Sequence, residues 1–123
     1  GAIASSVAHD SHNIVVIGTD DQDMRAAVAS IVDMGGGQVA IAGGEVRAAC
    51  PLPIAGLMSD RSLEEVCDQV EALTRAAHGM GCTLPDPFMT MSFLALPVIP
   101  SLKLTDKGLV DVGKFDFVPL FGD

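Results

Sequence analysis

The chain has 123 residues, of which 49% are hydrophobic and 19% are charged, so we expect one domain, residues 1–123, built around a single core. Its formal net charge of −9 argues against binding to nucleic acid or to the anionic surface of a membrane, because both carry negative charge. No apolar run approaches the roughly 18 residues that a membrane-spanning helix needs.

The chain begins with two predicted strands and a helix. Residues 3–7 and 14–17 are rich in β-branched side chains, and the short polar connection between them favours an antiparallel pair. Thr19 or Asp20 can cap the helix that follows, since either side chain can accept a hydrogen bond from an amide of the first turn. The glycine run 35–37 ends that helix, because glycine adopts the left-handed C-terminal conformation without strain.

A β-hairpin is predicted next. Residues 38–42 and 45–50 flank Gly43-Gly44, and glycines supply the positive φ that a two-residue turn requires. The Pro-Leu-Pro sequence that follows ends the sheet, because proline cannot donate a hydrogen bond to a neighbouring strand. The earlier glycine run follows a helix and lacks a subsequent Gly-Lys-Ser/Thr sequence, so we interpret it as a helix end and not as a phosphate-binding loop.

A second helix is predicted to start near Ser62. Ser62 and Glu65 fit a capping box, in which each side chain accepts a hydrogen bond from an amide at the helix end. Cys67 falls on the apolar stripe and is predicted to pack in the core, and its wide spacing from Cys50 and Cys82 is typical of reduced, partly buried thiols in a cytoplasmic protein. The predicted core face comprises Leu63, Val66, Cys67, Val70, Leu73 and Ala77.

The last third of the chain predicts a short helix and a mixed tail. Asp86 and Pro87 resemble a helix cap and a first helical residue, which predicts a helix over 88–96, although a buried strand also fits this apolar run. A turn at 105–108 should join two short strands, and the apolar tail 115–121 should pack onto the domain. The complete order of elements predicts an α/β or α+β fold, with a mixed, largely antiparallel sheet that contains hairpins and is covered by two to three helices.

The polar loop, residues 9–13, holds a denser group of proton-transfer and metal-ligand side chains than any other stretch of this chain. Histidine titrates near neutral pH, so His9 and His12 are candidates for acid–base catalysis, and Asp10 is a third candidate because its carboxylate could raise the pKa of either imidazole. Two imidazoles and one carboxylate could also form a three-ligand Zn or Fe site. The alternative is a polar hairpin tip in which Asp10, Ser11 and Asn13 satisfy backbone groups of the turn. A Ser-His-Asp triad through Ser11 is not expected, because adjacent loop residues rarely align in the required relay.

Two further places have chemical interest. His78 lies near the end of the second predicted helix, where an imidazole interacts favourably with the helix dipole, so a structural role is expected. The segment 81–91 mixes prolines, methionines and small polar residues, and such a segment can line a pocket or a domain interface because methionine adapts to irregular surfaces. The alternative for this segment is a capped helix of the core.

Five segments cover nearly the whole chain in order: SSVAHDSHNIVVIGTDDQDM, GGGQVAIAGGEV, PLPIAGLMSD, GCTLPDPFMTMSFLALPVIPSLKLTDKGLVDV and FDFVPLF. Together they resemble the C-terminal domain of bacterial adenine deaminases, which are members of the amidohydrolase superfamily. The segment PDPFMTMSFLALPVIP is long and unusual enough to make this resemblance specific.

The resemblance implies a parent enzyme that hydrolyses adenine to hypoxanthine and ammonia in purine salvage. In this family an upstream (β/α)₈ amidohydrolase barrel holds a divalent metal ion (Mn, Fe or Zn), and a metal-bound hydroxide attacks C6 of the purine. This chain has neither the barrel nor its HxH motif, so we assign no metal ligand to it and expect it to be inactive alone. We expect its partners to be the upstream barrel, adenine and further copies in a homo-oligomer.

Within that family context we predict a supporting site in the polar loop. His9, Asp10 and His12 are the candidate catalytic residues, and Ser11 and Asn13 are the candidate substrate-binding residues. The hypothesis is that the loop faces the open end of the barrel and supplies hydrogen bonds or proton transfer to the active site.

Two other classes of function compete with this one. The chain could be a non-catalytic assembly module, in which the apolar residues 88–99 and 115–121 form an interdomain or subunit interface. It could also be a stand-alone small metal-binding protein that uses His9 and His12. Truncation of the tail would test the first alternative, and metal analysis of the pure chain would test the second.

Overall fold

The computed structural model describes residues 1–122 and contains two antiparallel sheets and three helices. This mixed α+β architecture confirms the predicted fold class. No helix within the described residues is long and apolar enough to cross a membrane. The elements are β1 (Ala2–Ser5), β2 (Val15–Gly18), α1 (Asp21–Asp33), β3 (Gly37–Ala42), β4 (Glu45–Pro51), α2 (Leu63–Gly79), α3 (Pro87–Ser92), β5 (Leu102–Thr105), β6 (Gly108–Asp111) and β7 (Asp116–Val118).

The larger sheet has the strand order β2-β1-β3-β4, and a helical layer covers each of its faces. Successive side chains of a strand point to opposite faces, so the central strand β3 contributes to two cores. Val39 and Ile41 pack with Ala27 and Ile31 of α1. Ala40 packs on the other side with Leu73 of α2 and with side chains of α3. The sheet is therefore the middle layer of three.

Each helix begins at a polar cap that the sequence predicts. The carboxylate of Asp20 accepts a hydrogen bond from the Asp23 amide at 2.9 Å and starts α1. Ser62 and Glu65 exchange hydrogen bonds as a capping box at the start of α2. Asp86 caps α3, with proline at its first position. These caps depend only on residues close together in sequence, which explains why the predictions are confirmed.

The glycine run after α1 ends the helix and also permits a close approach of two backbone segments. Gly36 has φ of 117°, and a Cβ at that position would lie 2.3 Å from the Cα of Gly56. Buried Ser6 joins the same segments: its Oγ donates to the Gly56 carbonyl at 2.7 Å and accepts from the Gly37 amide at 2.8 Å. This junction fixes the end of β1, immediately before the polar loop.

The prediction for the core face of α2 is partly wrong. Leu73 and Ala77 are buried and Val66 is half-buried, but Leu63, Cys67 and Val70 are exposed. A helix turns by about 100° per residue, so Cys67 lies roughly that far around the axis from Val66 and away from the sheet. The buried stripe is narrower than the apolar stripe of the sequence, and Cys67 does not pack in the core.

The apolar run after Asp86 is less helical than predicted. The helix α3 ends at Ser92, and the chain continues through tight turns in which the Leu94 amide bonds the Met91 carbonyl and the Leu96 amide bonds the Phe93 carbonyl. Bonds between residues three apart close a tighter turn than the α-helix. The predicted helix over 88–96 is therefore correct only in its first half.

The C-terminal part forms a separate three-stranded sheet with the order β5-β6-β7. The predicted turn at 105–108 is confirmed, since Thr105 pairs with Gly108 across it. The tail also pairs through its backbone, as β7, with β6. Its side chains do not pack down as expected, because Phe115 and Phe121 are each 82% exposed.

Candidate functional site

The loop between β1 and β2 carries the five predicted site residues at the surface of the protein. The loop leaves β1 beside the central strand of the larger sheet, where Ser5 pairs with Gln38. Asp10 has a φ of 61°, a left-handed conformation that aspartate tolerates better than most residues. The side chains of His9, Asp10, Ser11, His12 and Asn13 are all exposed.

His9 is held by the segment that ends α3. Its imidazole stacks on the ring of Phe93, with the ring centroids 4.1 Å apart and the planes inclined by 25°. Its backbone amide donates a hydrogen bond to the Ser92 carbonyl at 3.3 Å. Sequence reasoning did not find Phe93, because no spacing or motif connects it with a histidine so distant in the chain.

His12 is held by its own loop. Its Nδ1 accepts a hydrogen bond from the Ala8 amide at 3.3 Å. A ring nitrogen that accepts is unprotonated, so the neutral imidazole with this contact carries its proton on Nε2. Two short backbone bonds tighten the same loop: the Ser11 amide donates to the His9 carbonyl and the Asn13 amide to the Ser11 carbonyl, both at 2.8 Å. The loop therefore presents an Nε2–H donor at the surface.

The loop does not have the geometry of a metal site. Among residues 1–122 there is no group of three or more His, Cys, Asp or Glu side chains placed to hold a metal ion. The two imidazoles also have different partners, since His9 stacks on Phe93 whereas His12 bonds the Ala8 amide. A divalent ion does not fit the side chains of this loop in their observed arrangement.

A cavity of about 330 Å³ lies beside His9. Its apolar wall includes Val7 from the chain after β1, Val70 of α2 and Phe88 of α3. The polar groups along it are the side chains of His9, Gln38, Thr74, Asp86 and Ser92. Because Asp86 is the only carboxylate among them, the cavity suits a neutral or cationic small molecule better than an anionic one.

The two interpretations of segment 81–91 both describe the structure. Asp86 caps a helix whose Phe88 and Met91 are buried in the core. The same helix contributes Asp86, Phe88 and Met89 to the wall of the cavity. A short helix can do both, because its successive residues are turned about 100° from one another and so face different surroundings.

Asp23, a buried carboxylate, lies at the opposite end of the larger sheet from the polar loop. It accepts hydrogen bonds from the amides of Gly43 at 3.1 Å and Gly44 at 2.7 Å, and the amino group of Gly1 is 3.3 Å away. The hydrogen bond from Gly44 lowers the pKa of Asp23 most, and burial opposes this shift. Asp23 therefore anchors the β3–β4 turn, a role that its position in the first helical turn did not reveal.

His78 has the structural contact expected of it. Its Nε2 lies 2.7 Å from the Leu84 carbonyl oxygen, within hydrogen-bond distance. This contact joins the last turn of α2 to the segment that leads into α3, and it supports a structural role for the third histidine.

Comparison with known proteins confirms the resemblance on which the sequence interpretation depends. The family model of the adenine deaminase C-terminal domain matches residues 1–116. An adenine deaminase of Desulfatibacillum aliphaticivorans is 63% identical over 98% of this chain and 21% of that protein. An adenine deaminase of Methanothrix thermoacetophila is 57% identical over 98% of this chain and 21% of that protein. An adenine deaminase of Clostridium botulinum is 51% identical over 98% of this chain and 20% of that protein. The chain thus spans about a fifth of the length of these relatives.

Proposed function

The chain belongs to the adenine deaminase C-terminal domain family, and we propose that residues 1–123 form one domain of an enzyme that hydrolyses adenine to hypoxanthine and ammonia in purine salvage. The observation that carries this proposal is the family match over residues 1–116, together with 63% identity to a relative named adenine deaminase. In this proposal, the remaining four-fifths of the parent protein supply the amidohydrolase barrel, and the 123-residue chain alone is inactive.

The role proposed for the polar loop is to support the active site of that barrel. Three features support it: the loop side chains are exposed, His9 is oriented by Phe93, and His12 presents an Nε2–H donor. Side chains with fixed orientation lose little entropy when they meet a substrate or a second domain. His9, Asp10 and His12 would move or hold protons, and Ser11 and Asn13 would donate or accept hydrogen bonds to the purine.

The divalent metal ion of the parent enzyme would be held by the upstream barrel. Such an ion, Mn, Fe or Zn, activates the water that attacks the purine. The contribution of this chain is then to orient groups around the substrate and to exclude water.

We also propose a cytoplasmic location and a homo-oligomeric enzyme. A cytoplasmic location agrees with cysteines that are not paired in the described structure: Cys50, Cys67 and Cys82 are all free thiols. The competing assembly-module function is favoured by one observation, the exposed apolar side chains of the C-terminal sheet. The two functions are compatible, because a domain can both dock on a barrel and complete its site.

The test uses the full-length protein that carries this domain. Release of ammonia from adenine is measured for the unsubstituted enzyme, for His9→Ala and for His12→Ala. We expect each substitution to lower kcat/KM by about 100-fold with the fold intact, the lower limit for a positioned acid–base group. His78→Ala is the matched control, since it removes a histidine outside the loop, and we expect it to retain activity.

The possible results separate the two parts of the proposal. Unchanged kinetics in both loop variants would eliminate the supporting role while leaving the deaminase assignment in place. A full-length protein that releases no ammonia from adenine, with divalent metal supplied, would contradict the deaminase assignment itself.

A further inference from the structure

The C-terminal sheet has an apolar face that no layer of the described structure covers. Side chains two apart on a strand share a face, so Leu102 and Leu104 of β5 lie on the same side. Leu104 pairs with Leu109 of β6, and Leu109 pairs with Val118 of β7, which extends the row across all three strands. Leu102 pairs with Asp111, and Asp111 pairs with Asp116, so two carboxylates form a polar edge beside this row on the same side of the sheet. We name these four side chains, Leu102, Leu104, Leu109 and Val118, the C-terminal apolar face.

This sheet lacks the buried core that a stable sheet requires. From residue 97 to residue 122 no residue is buried. The range 94–121 nevertheless contains nine of the nineteen large hydrophobic residues that are exposed within residues 1–122. A three-stranded sheet is stable in water only when a hydrophobic face is covered. The C-terminal apolar face therefore requires a partner layer.

The rest of this chain does not supply that layer. The helices α1 and α2 pack on the larger sheet, and neither packs extensively on β5, β6 or β7 within the described residues. One backbone bond between the Leu104 amide and the Leu94 carbonyl, 3.2 Å long, joins the edge of β5 to the turns after α3. The covering surface must come from outside residues 1–122.

We propose that the C-terminal apolar face docks on the region that precedes this domain in the full-length protein, an inference that rests on the proposed membership in a longer enzyme. The relatives contain about four-fifths of their length outside the matched part. A covalently linked surface is present at a high effective concentration, so even a modest apolar contact is populated.

The distribution of charge favours this occupant over a second copy of the chain. Residues 94–122 contain three lysines and three aspartates and are neutral, which suits an apolar interface with a polar rim. The whole chain carries a net charge of −9, so pairing of two copies of this domain through the C-terminal apolar face would bring two negatively charged domains together. Like charges across an interface disfavour the complex, so a second copy of this domain is the poorer occupant of the C-terminal apolar face.

Hydroxyl-radical footprinting of the full-length protein tests the docking without any substitution. Leu102 and Leu104 are 54% and 56% exposed in this structure, and Leu63 on α2 is a matched control of the same residue type at 75%. We expect oxidation of Leu102 and Leu104 to be about tenfold slower than that of Leu63 because the docked surface excludes solvent. Equal oxidation of the three leucines would overturn the proposal.

A variant with charged residues in the C-terminal apolar face identifies the surface that covers it. In the full-length protein, Leu102→Asp with Leu104→Asp should accelerate hydrogen exchange about tenfold in β5–β7 and in one contiguous upstream surface. Val32→Asp with Val46→Asp, at exposed positions of α1 and β4, should leave that upstream surface unchanged. If protection of the face is instead lost on dilution to monomer, the occupant is a second copy and the proposal is wrong.

Deamination of adenine is measured on the same samples. If the face is protected but the protein does not deaminate adenine, the docking proposal stands and the proposed function is wrong. If the protein deaminates adenine but its face is unprotected, the proposed function stands and the docking proposal is wrong, so the two failures are distinguishable.

Discussion

The imidazole of His9 and the ring of Phe93 stack with their centroids 4.1 Å apart. This contact joins the loop after β1 to the chain just beyond α3, two segments distant in sequence. It restricts the orientation of a histidine that is otherwise exposed to solvent. The stack is therefore the structural basis for treating His9 as an oriented group and not as a mobile surface side chain.

A double-mutant cycle measures this contact. We expect His9→Ala and Phe93→Ala to show a coupling free energy of about 0.5–1.5 kcal/mol in urea denaturation, because stacked aromatic pairs contribute roughly this much beyond burial. The control cycle pairs His12→Ala with Phe93→Ala and should give a coupling near zero, since His12 bonds the Ala8 amide instead. Equal coupling in the two cycles would show that the stack adds no specific stability.

The close approach of Gly36 to Gly56 predicts a large difference between two neighbouring glycine substitutions. Gly35→Ala should cost about 1–2 kcal/mol, because its φ of 73° is left-handed but a Cβ there meets nothing within 4 Å. Gly36→Ala should cost clearly more, since its Cβ would overlap the Gly56 backbone at 2.3 Å. Thermal or urea unfolding compares them, and similar losses of stability would contradict the close packing of this junction.

The lowered pKa of Asp23 predicts that the free energy of unfolding depends on pH. Its folded pKa lies below the usual value of 3.8, chiefly because the Gly44 amide donates to the carboxylate. A lowered folded pKa means that the unfolded state binds more protons, so the stabilisation is present above about pH 4 and is lost as the pH falls through the folded pKa. Asp23→Asn should therefore destabilise the protein most at neutral pH.

The measurement for Asp23 is the free energy of unfolding of the unsubstituted and Asn-substituted proteins from neutral pH to pH 2. The difference should shrink on acidification. Asp60→Asn is the control, because that exposed carboxylate contacts only Arg61 among the described residues, at 3.6 Å. A difference for Asp23→Asn that is independent of pH would mean that its charge does not stabilise the turn.

The exposure of Cys67 predicts the order in which the three thiols react with maleimide. Cys67 is exposed and Cys82 is half-buried, whereas Cys50 is buried and burial raises the pKa of its thiol. Because the thiolate is the reactive form, maleimide at neutral pH should label Cys67 first and Cys50 only after unfolding. Mass spectrometry of digested samples identifies each site, and Cys67→Ser should remove the fast phase. Labelling of Cys50 as fast as Cys67 would contradict the packing described for β4.

The residues of the candidate site could be predicted from the sequence, but the contacts that hold their side chains could not. The polarity of residues 9–13 between apolar runs placed the loop at the surface, where the structure has it. Phe93 was not predicted, because its contact with His9 depends on how α3 packs over the larger sheet. The sequence places Asp23 only in the first turn of a helix, although its main partners are the amides of a turn about twenty residues further along the chain.

The sequence alone predicts the helix caps at Asp20, Ser62 and Asp86, the Gly43-Gly44 turn and the family. Each of these depends on neighbouring residues or on long contiguous segments. Only the tertiary structure decided which side of α2 is buried, how closely Gly36 approaches Gly56, and that the face of β5–β7 is left bare. Burial is a property of packed layers. An apolar stripe in the sequence predicts that a surface is buried, but the element that covers this surface depends on how the helices and sheets are arranged.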